Sequence, residues 1–106
     1  SYRLLAGYPP AVYMMSLHGT GKDEAHLQTA MDYLVKMIQR MPESARIRVL
    51  GPTAESIGKI QDEYRKVIYM KGEDLQILTG IKNKLEKYIE MNEGYRTVQI
   101  QFDLEN

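Results

Sequence analysis

The stretch RIRVLGPTAESIGKIQDEYRKVIYMK, residues 46–71, decides the fold because it holds two strand-like segments in succession. RIRVL alternates apolar and basic side chains, which is typical of a strand with one buried face. Gly51-Pro52 is expected to close this strand, because that dipeptide usually marks a turn. YRKVIYMK, residues 64–71, is the next predicted strand. The connection between them is too long for a tight hairpin, and we expect a helical turn around residues 54–60.

A helix-like segment lies on each side of this stretch. Apolar residues recur every three or four positions from residue 27 to residue 41, with Asp23 as a plausible cap and Pro42 preventing continuation. A second segment of the same period, residues 73–91, follows the predicted strands. Both segments therefore predict amphipathic helices.

Two further strands complete the pattern. Residues 11–19 form an apolar run that predicts a buried central strand, and residues 97–105 alternate cleanly. The order βαββαβ predicts an α+β fold, a ferredoxin-like split βαβ sandwich with a four-stranded antiparallel sheet and both helices on one face. The other face of the sheet is expected to be open.

The composition limits the class of protein. A chain of 106 residues is long enough for one core but too short for two. The absence of cysteine excludes disulfides, thiolate zinc sites and thiol nucleophiles, and is compatible with a reducing cytoplasm. No apolar run approaches the roughly 20 residues that span a bilayer. We expect a single domain over residues 11–106, with residues 1–10 as a tether from a preceding region; the cytoplasmic location that we also expect does not follow from composition alone.

The charge is unevenly distributed although the chain is neutral overall. Residues 46–71 contain six basic and three acidic side chains, so the remainder is net acidic. This mild asymmetry indicates a face suited to an anionic partner.

The candidate catalytic and metal-binding residues give a weak signal. His18 and His26 flank the first strand-to-helix turn with Asp23 and Glu24 nearby, but their spacing matches no known metal site, and a structural role is favoured. GTGK, residues 19–22, is too short for a phosphate-binding loop of the P-loop type, and a plain tight turn is favoured. The methionines of the first helix are expected to fill the core.

The third predicted strand carries a ring and several cations. Alternation places Arg65, Tyr69 and Lys71 on one side and Tyr64 and Lys66 on the other, so one set must help to form the core. An exposed ring next to cations is the combination that stacks bases and neutralises phosphates in single-strand binders. An amphipathic edge strand whose lysines discourage aggregation is an equally open interpretation.

The ordered set of motifs resembles the C-terminal domain family of PriA, the primosomal protein N′ of bacterial replication restart. The resemblance rests on the segments GYPPA, LHGTGKDEAHL, RVLGPTAESIGKI, YRKVIYMK and VQIQFDLEN, which together cover nearly the whole chain. It implies a ferredoxin-like domain that contributes to binding forked or single-stranded DNA beside a helicase. It also implies that residues 1–10 come from the preceding helicase region.

The chain departs from that family at two places. Asp62 and Glu63 stand where the family often has a glycine and a basic residue, and Ala11 replaces an aromatic. The ATPase motifs and zinc-binding cysteines of the complete protein are missing, so the resemblance implies no enzymatic activity and no cofactor here. ATP, magnesium and zinc then belong to the rest of an ATP-dependent helicase.

The expected function is that of a non-enzymatic accessory domain, weakly bound to DNA and packed on the helicase domains of the same chain. The alternative is an interaction module that docks other helicase domains or the single-strand-binding protein. A small-molecule regulatory domain is less favoured because no glycine-rich ligand loop is evident. Gly51-Pro52 is the predicted structural corner. The predicted DNA-binding residues are Lys59, Tyr64, Arg65, Lys66 and Lys71, with Arg46 and Arg48 as supporting charges.

Overall fold

The computed structural model describes residues 12–60 and 63–105, with only the backbone described for residues 56–60. The predicted tether, residues 1–10, lies outside the described residues. Short 3₁₀ turns, Pro42–Arg46 and Glu93–Tyr95, lead into the second and fourth strands. The main elements in chain order are β1 (Tyr13–Gly21), α1 (Glu24–Arg40), β2 (Ile47–Ile60), β3 (Glu63–Gly72), α2 (Leu75–Met91) and β4 (Val98–Glu105).

The described strands form one antiparallel sheet in the order β2-β3-β1-β4. Both βαβ units of the chain cross over with a helix, so the helices lie on the same face of the sheet. The predicted ferredoxin-like α+β sandwich is confirmed. β2 and β4 are the edge strands, and the face opposite the helices is open.

The two helices begin at side-chain caps and bury the predicted stripes. The Asp23 side chain accepts a hydrogen bond from the backbone N–H of His26, and Asp74 accepts one from that of Gln76. The predicted core positions of α1 are buried, together with the centre of the α2 stripe. The principal buried residues are Leu17, Leu27, Met31, Leu34, Ile38, Ile68, Met70, Leu78, Ile81 and Leu85.

The prediction for the connection between β2 and β3 is wrong. β2 continues through Gly51-Pro52 to Ile60, which pairs with Glu63, so no helical turn interrupts it. The ladder accommodates the corner by register shifts within β2. Gly51 has φ +101°, and a Cβ there would lie 2.6 Å from the carbonyl oxygen of Val67. The corner is therefore a bulge inside a long edge strand, not the end of the strand.

The first strand is also longer than predicted at its C-terminal end. Thr20 and Gly21 belong to β1, where Gly21 pairs with both Tyr64 and Val98. The GTGK segment therefore forms neither a phosphate-binding loop nor the tight turn expected from its sequence. Instead, it extends the open face of the sheet by one more side chain, that of Thr20.

Candidate nucleic-acid interface

Alternation along β3 divides the predicted DNA-binding residues between two faces of the sheet. Arg65, Tyr69 and Lys71 lie on the open face. Tyr64 packs against the core on the helix-covered face, where Lys66 is 8% exposed and its Nζ lies 3.6 Å from Oε2 of Glu24. The predicted residues therefore do not form a single surface.

Three of the predicted cations come together at one edge of the sheet. Arg46, Arg48 and Lys71, here called the basic corner, line a cavity of about 530 Å³. Arg48 lies directly opposite Lys71 in the β2–β3 register. Neither forms an ion pair with any residue that the structure describes. Glu73 and Asp74 also line the cavity, so its charge is mixed.

Apolar side chains continue the same face next to the basic corner. Tyr69 pairs with Leu50, which is 46% exposed, and both lie on the side of the sheet that carries Lys71 and Arg48. Val12, also exposed, lines the basic-corner cavity. This edge of the sheet therefore presents an aromatic ring and apolar side chains beside the cations of the basic corner. Lys59 pairs with Tyr64 through the backbone, and its side chain lies outside the described part of the chain.

A histidine joins β2 to β4 across the middle of the open face. His18 Nδ1 lies 2.6 Å from Oε1 of Glu55, and its Nε2 lies 3.6 Å from Oδ2 of Asp103. His18, Glu55 and Asp103 are here called the histidine brace. Val67, opposite His18 on β3, is only 2% exposed although no helix covers it. The contact between β2 and β1 crosses β3, and we expect it to cover Val67.

The two histidines serve separate structural contacts. His26 Nε2 lies 2.7 Å from the carbonyl oxygen of Gly94, so it fastens the start of α1 to the turn before β4. His18 is on the opposite face of the sheet, in the brace. Within residues 12–60 and 63–105, no group of three or more histidine, cysteine or acidic side chains is arranged to hold a metal ion. The structure therefore does not bring together the metal set that the sequence raised as an alternative.

A second concavity lies on the open face, towards the C-terminal end of β1. This open-face cavity has a volume of about 420 Å³. Its side chains come from three neighbouring strands, and most of them are polar. Sequence analysis missed this site because its glutamines belong to β4 and meet β1 and β3 only in the folded register. The polar residues that line it are His18, Thr20, Glu63, Arg65, Gln99 and Gln101.

The charge of the open face changes from one edge to the other. The β2–β3 edge carries the basic corner, whereas β4 presents Asp103 and Glu105. The Glu105 carboxylate accepts a hydrogen bond of 3.0 Å from the hydroxyl of Ser16. An anionic partner is therefore expected to approach the β2–β3 edge and to be repelled from the β4 edge.

The fold and this surface define a ferredoxin-like α+β domain whose open face is basic at the β2–β3 edge and acidic at the β4 edge. The model of the family described as primosomal protein N C-terminal domain matches residues 5–105. The chain belongs to that family, whose members are accessory domains of the replication-restart primosomal protein. No curated protein matches the chain.

Solved structures resemble the domain in fold alone. A de novo designed protein, Foldit4, matches with a TM-score of 0.67 at 10% identity, over 91% of this chain and 98% of that one. A dimeric ferredoxin-like protein from an uncultured marine organism matches with a TM-score of 0.60 at 11% identity, over 89% and 92%. A hydantoinase/carbamoylase family amidase from Burkholderia ambifaria matches with a TM-score of 0.57 at 14% identity, over 91% of this chain but 28% of the amidase.

Neither α1 nor α2, in the part of the chain that the structure describes, has the length and apolar character needed to cross a bilayer.

Proposed function

We propose that the domain is a non-enzymatic DNA-binding accessory domain of a primosomal helicase, and that it contacts forked or single-stranded DNA through the basic corner. Tyr69 and Leu50 supply the ring and apolar surface beside the cations. Tyr64 and Lys66 are left out of this contact surface because they lie on the helix-covered face. We place the domain in the bacterial cytoplasm, on the helicase domains of the same chain.

The observation that carries the proposal is the direct opposition of Arg48 and Lys71 across β2 and β3. Like charges at opposed strand positions destabilise a sheet, so this arrangement costs stability in the free domain. A phosphate placed between them relieves the repulsion and forms charge-assisted hydrogen bonds with both side chains. Tyr69 lies one pair further along the same face, where a base can stack on it.

The number of cations sets the expected strength of binding. Three side chains can neutralise about three phosphates, and each phosphate contacted on a single strand contributes about −0.7 to the slope of log affinity against log salt. The expected slope is therefore about −2. Binding by the isolated domain should be weak at physiological salt, because Glu73 and Asp74 border the same cavity.

A fluorescence-anisotropy titration tests the proposal with forked and single-stranded DNA at several salt concentrations. Arg48→Glu and Lys71→Glu should each weaken binding and make the salt slope shallower. Lys87→Glu is the matched control, because it makes the same charge change at an exposed position of α2. If Lys87→Glu weakens binding as much as Arg48→Glu, net charge and not the basic corner controls affinity, and the proposal fails.

The second candidate function is docking of a protein partner on the same edge. The exposed Val12 and Leu50 beside the basic corner favour an apolar, acidic segment, such as one from another helicase domain or from the single-strand-binding protein. In that case Lys71→Glu should leave DNA affinity of the isolated domain unchanged. It should instead lower the DNA-stimulated ATPase activity of the complete protein, because the domain would be held less firmly.

A further inference from the structure

The open-face cavity is separate from the basic corner. Arg65 lies six positions before Lys71 on the same face of β3, a distance of about 20 Å at the usual rise of about 3.3 Å per residue. The cavity has about 420 Å³ of space, within the usual range for small-molecule sites. A ligand there therefore meets a different set of side chains from one at the basic corner.

Arg65 is a lining residue of the cavity with unused hydrogen-bonding capacity. Its Nε is buried and has no hydrogen-bond partner among the described residues. Glu63 lines the same cavity, but no described carboxylate lies within ion-pair distance of Arg65. A buried donor without a partner is costly in a folded protein. Arg65 lines the cavity, so the cavity favours a ligand that offers acceptors to the Arg65 guanidinium.

The other side chains favour a neutral ligand with both donors and acceptors. Gln99 and Gln101 each present an amide that can donate and accept, and neither has a side-chain hydrogen bond to a described residue. Glu63 lines the cavity, and His18, which also lines it, contacts the carboxylates of Glu55 and Asp103; these charges disfavour an isolated phosphate. A guanidinium with amides is the set that reads purine edges, with arginine on guanine O6 and N7 and glutamine on adenine N6 and N7.

We propose that the open-face cavity holds one unpaired purine base of single-stranded DNA, bound by Arg65, Gln99 and Gln101. The proposal rests on the DNA-binding function proposed above and adds a base-reading site to it. The basic corner then fixes the backbone, and the cavity selects which base is held. This division follows the general one in which phosphate contacts position a protein and base contacts specify sequence.

The test compares oligothymidines that differ at one central position, which is guanine, adenine, cytosine or an abasic site. Anisotropy titrations of the full chain should give purine-containing strands an affinity about tenfold above that of the abasic strand. The double variant Gln99→Ala/Gln101→Ala should lose this preference while its affinity for the abasic strand is unchanged. Gln39→Ala, at an exposed position of α1, is the matched control and should retain the preference.

Two results separate failure of this site from failure of DNA binding. If all strands bind equally and Arg65→Gln weakens all of them alike, Arg65 contacts phosphate and the base site is overturned, while DNA binding stands. If no strand binds, the DNA-binding proposal fails. Guanosine, which carries no phosphate, then tests the cavity alone in an NMR titration through the side-chain amide signals of Gln99 and Gln101. Unchanged signals would overturn the base site as well.

Discussion

Arg48 and Lys71 face each other across β2 and β3, on the side of the sheet that the helices leave open. Opposed like charges weaken a pair of strands, and neither side chain is compensated by an ion pair within the described residues. The core formed by the helices and the other face of the sheet tolerates this cost. The opposition of Arg48 and Lys71 therefore lowers the stability of the free domain and at the same time provides a surface suited to an anion.

The first prediction concerns the stability that the Arg48–Lys71 repulsion costs the free domain. Lys71→Glu converts a like-charge pair into an opposite-charge pair, so the free energy of unfolding should rise by a few tenths to about 1 kcal/mol. Urea unfolding at low ionic strength measures the change, which should shrink as salt screens the exposed charges. Lys87→Glu should stay within about 0.5 kcal/mol of the parent. A lower urea midpoint for Lys71→Glu would contradict the assigned opposition of the two cations.

The second prediction concerns the bulge in β2. Gly51→Ala should lower the free energy of unfolding by more than about 1 kcal/mol, because an alanine at φ +101° is strained and its Cβ meets the Val67 carbonyl at 2.6 Å. Gly80→Ala should have the opposite effect on stability, because Gly80 lies in α2 and a Cβ there meets nothing within 4 Å. That change should raise stability by about 0.5–1 kcal/mol. Thermal melts of both variants distinguish the two, and equal shifts of the same sign would refute the bulge geometry.

The sequence predicts the architecture well, because the spacing of apolar residues follows the face of each helix or strand that is buried. The α1 stripe from Leu27 to Met41 is buried as expected, and the order βαββαβ determines the sheet. The course of β2 is not predictable in the same way. Gly51 and Pro52 are local turn signals, but an edge strand has a free side on which a missing N–H is tolerated, so β2 continues past them.

The site was less predictable than the fold. Alternation separates Tyr64 and Lys66 from Arg65 and Lys71, but it does not tell which set meets the helices. Lys66 lies on the covered face because its aliphatic stem can be buried while its ammonium reaches Glu24. Contacts between strands distant in sequence, such as those of the histidine brace, depend on a register that residue spacing alone does not contain.

The third prediction concerns Tyr95, a buried phenol that contacts both helices. The Tyr95 hydroxyl donates a hydrogen bond of 2.6 Å to the carbonyl oxygen of Ala30, so Tyr95→Phe should cost about 1 kcal/mol in urea unfolding. Tyr33→Phe, at a side chain that is 52% exposed, is the control and should change stability by less than about 0.5 kcal/mol. Equal effects of the two variants would argue against a buried hydrogen bond.

The contribution of Tyr95 to stability should depend on pH with a definite sign. Burial, with smaller contributions from Tyr88 and Tyr33, raises the pKa of Tyr95 above its ordinary 10.0. A phenol whose pKa is higher in the folded state contributes stability that is present below pH 10 and is lost as the pH rises further. The stability difference between the parent and Tyr95→Phe should therefore shrink above pH 10. A difference that grows with pH in that range would reverse the assigned direction of the shift.

The last prediction tests whether the histidine brace forms a small covered region on the open face. Val67 is 2% exposed, whereas Leu50 on the same face is 46% exposed. Val67→Ala should therefore cost about 2 kcal/mol in urea unfolding, as for a core residue, and Leu50→Ala less than about 1 kcal/mol.

The role of the brace itself is tested by the background Glu55→Ala, which removes the carboxylate 2.6 Å from His18 Nδ1. In this background Val67 is already more exposed, so Val67→Ala should lower the free energy of unfolding by less than it does in the parent. Residues that share a contact commonly show interaction energies of about 0.5–3 kcal/mol in such double-mutant cycles. Strict additivity of Glu55→Ala and Val67→Ala would show that the contact between β2 and β1 does not cover Val67, and that its burial has another cause.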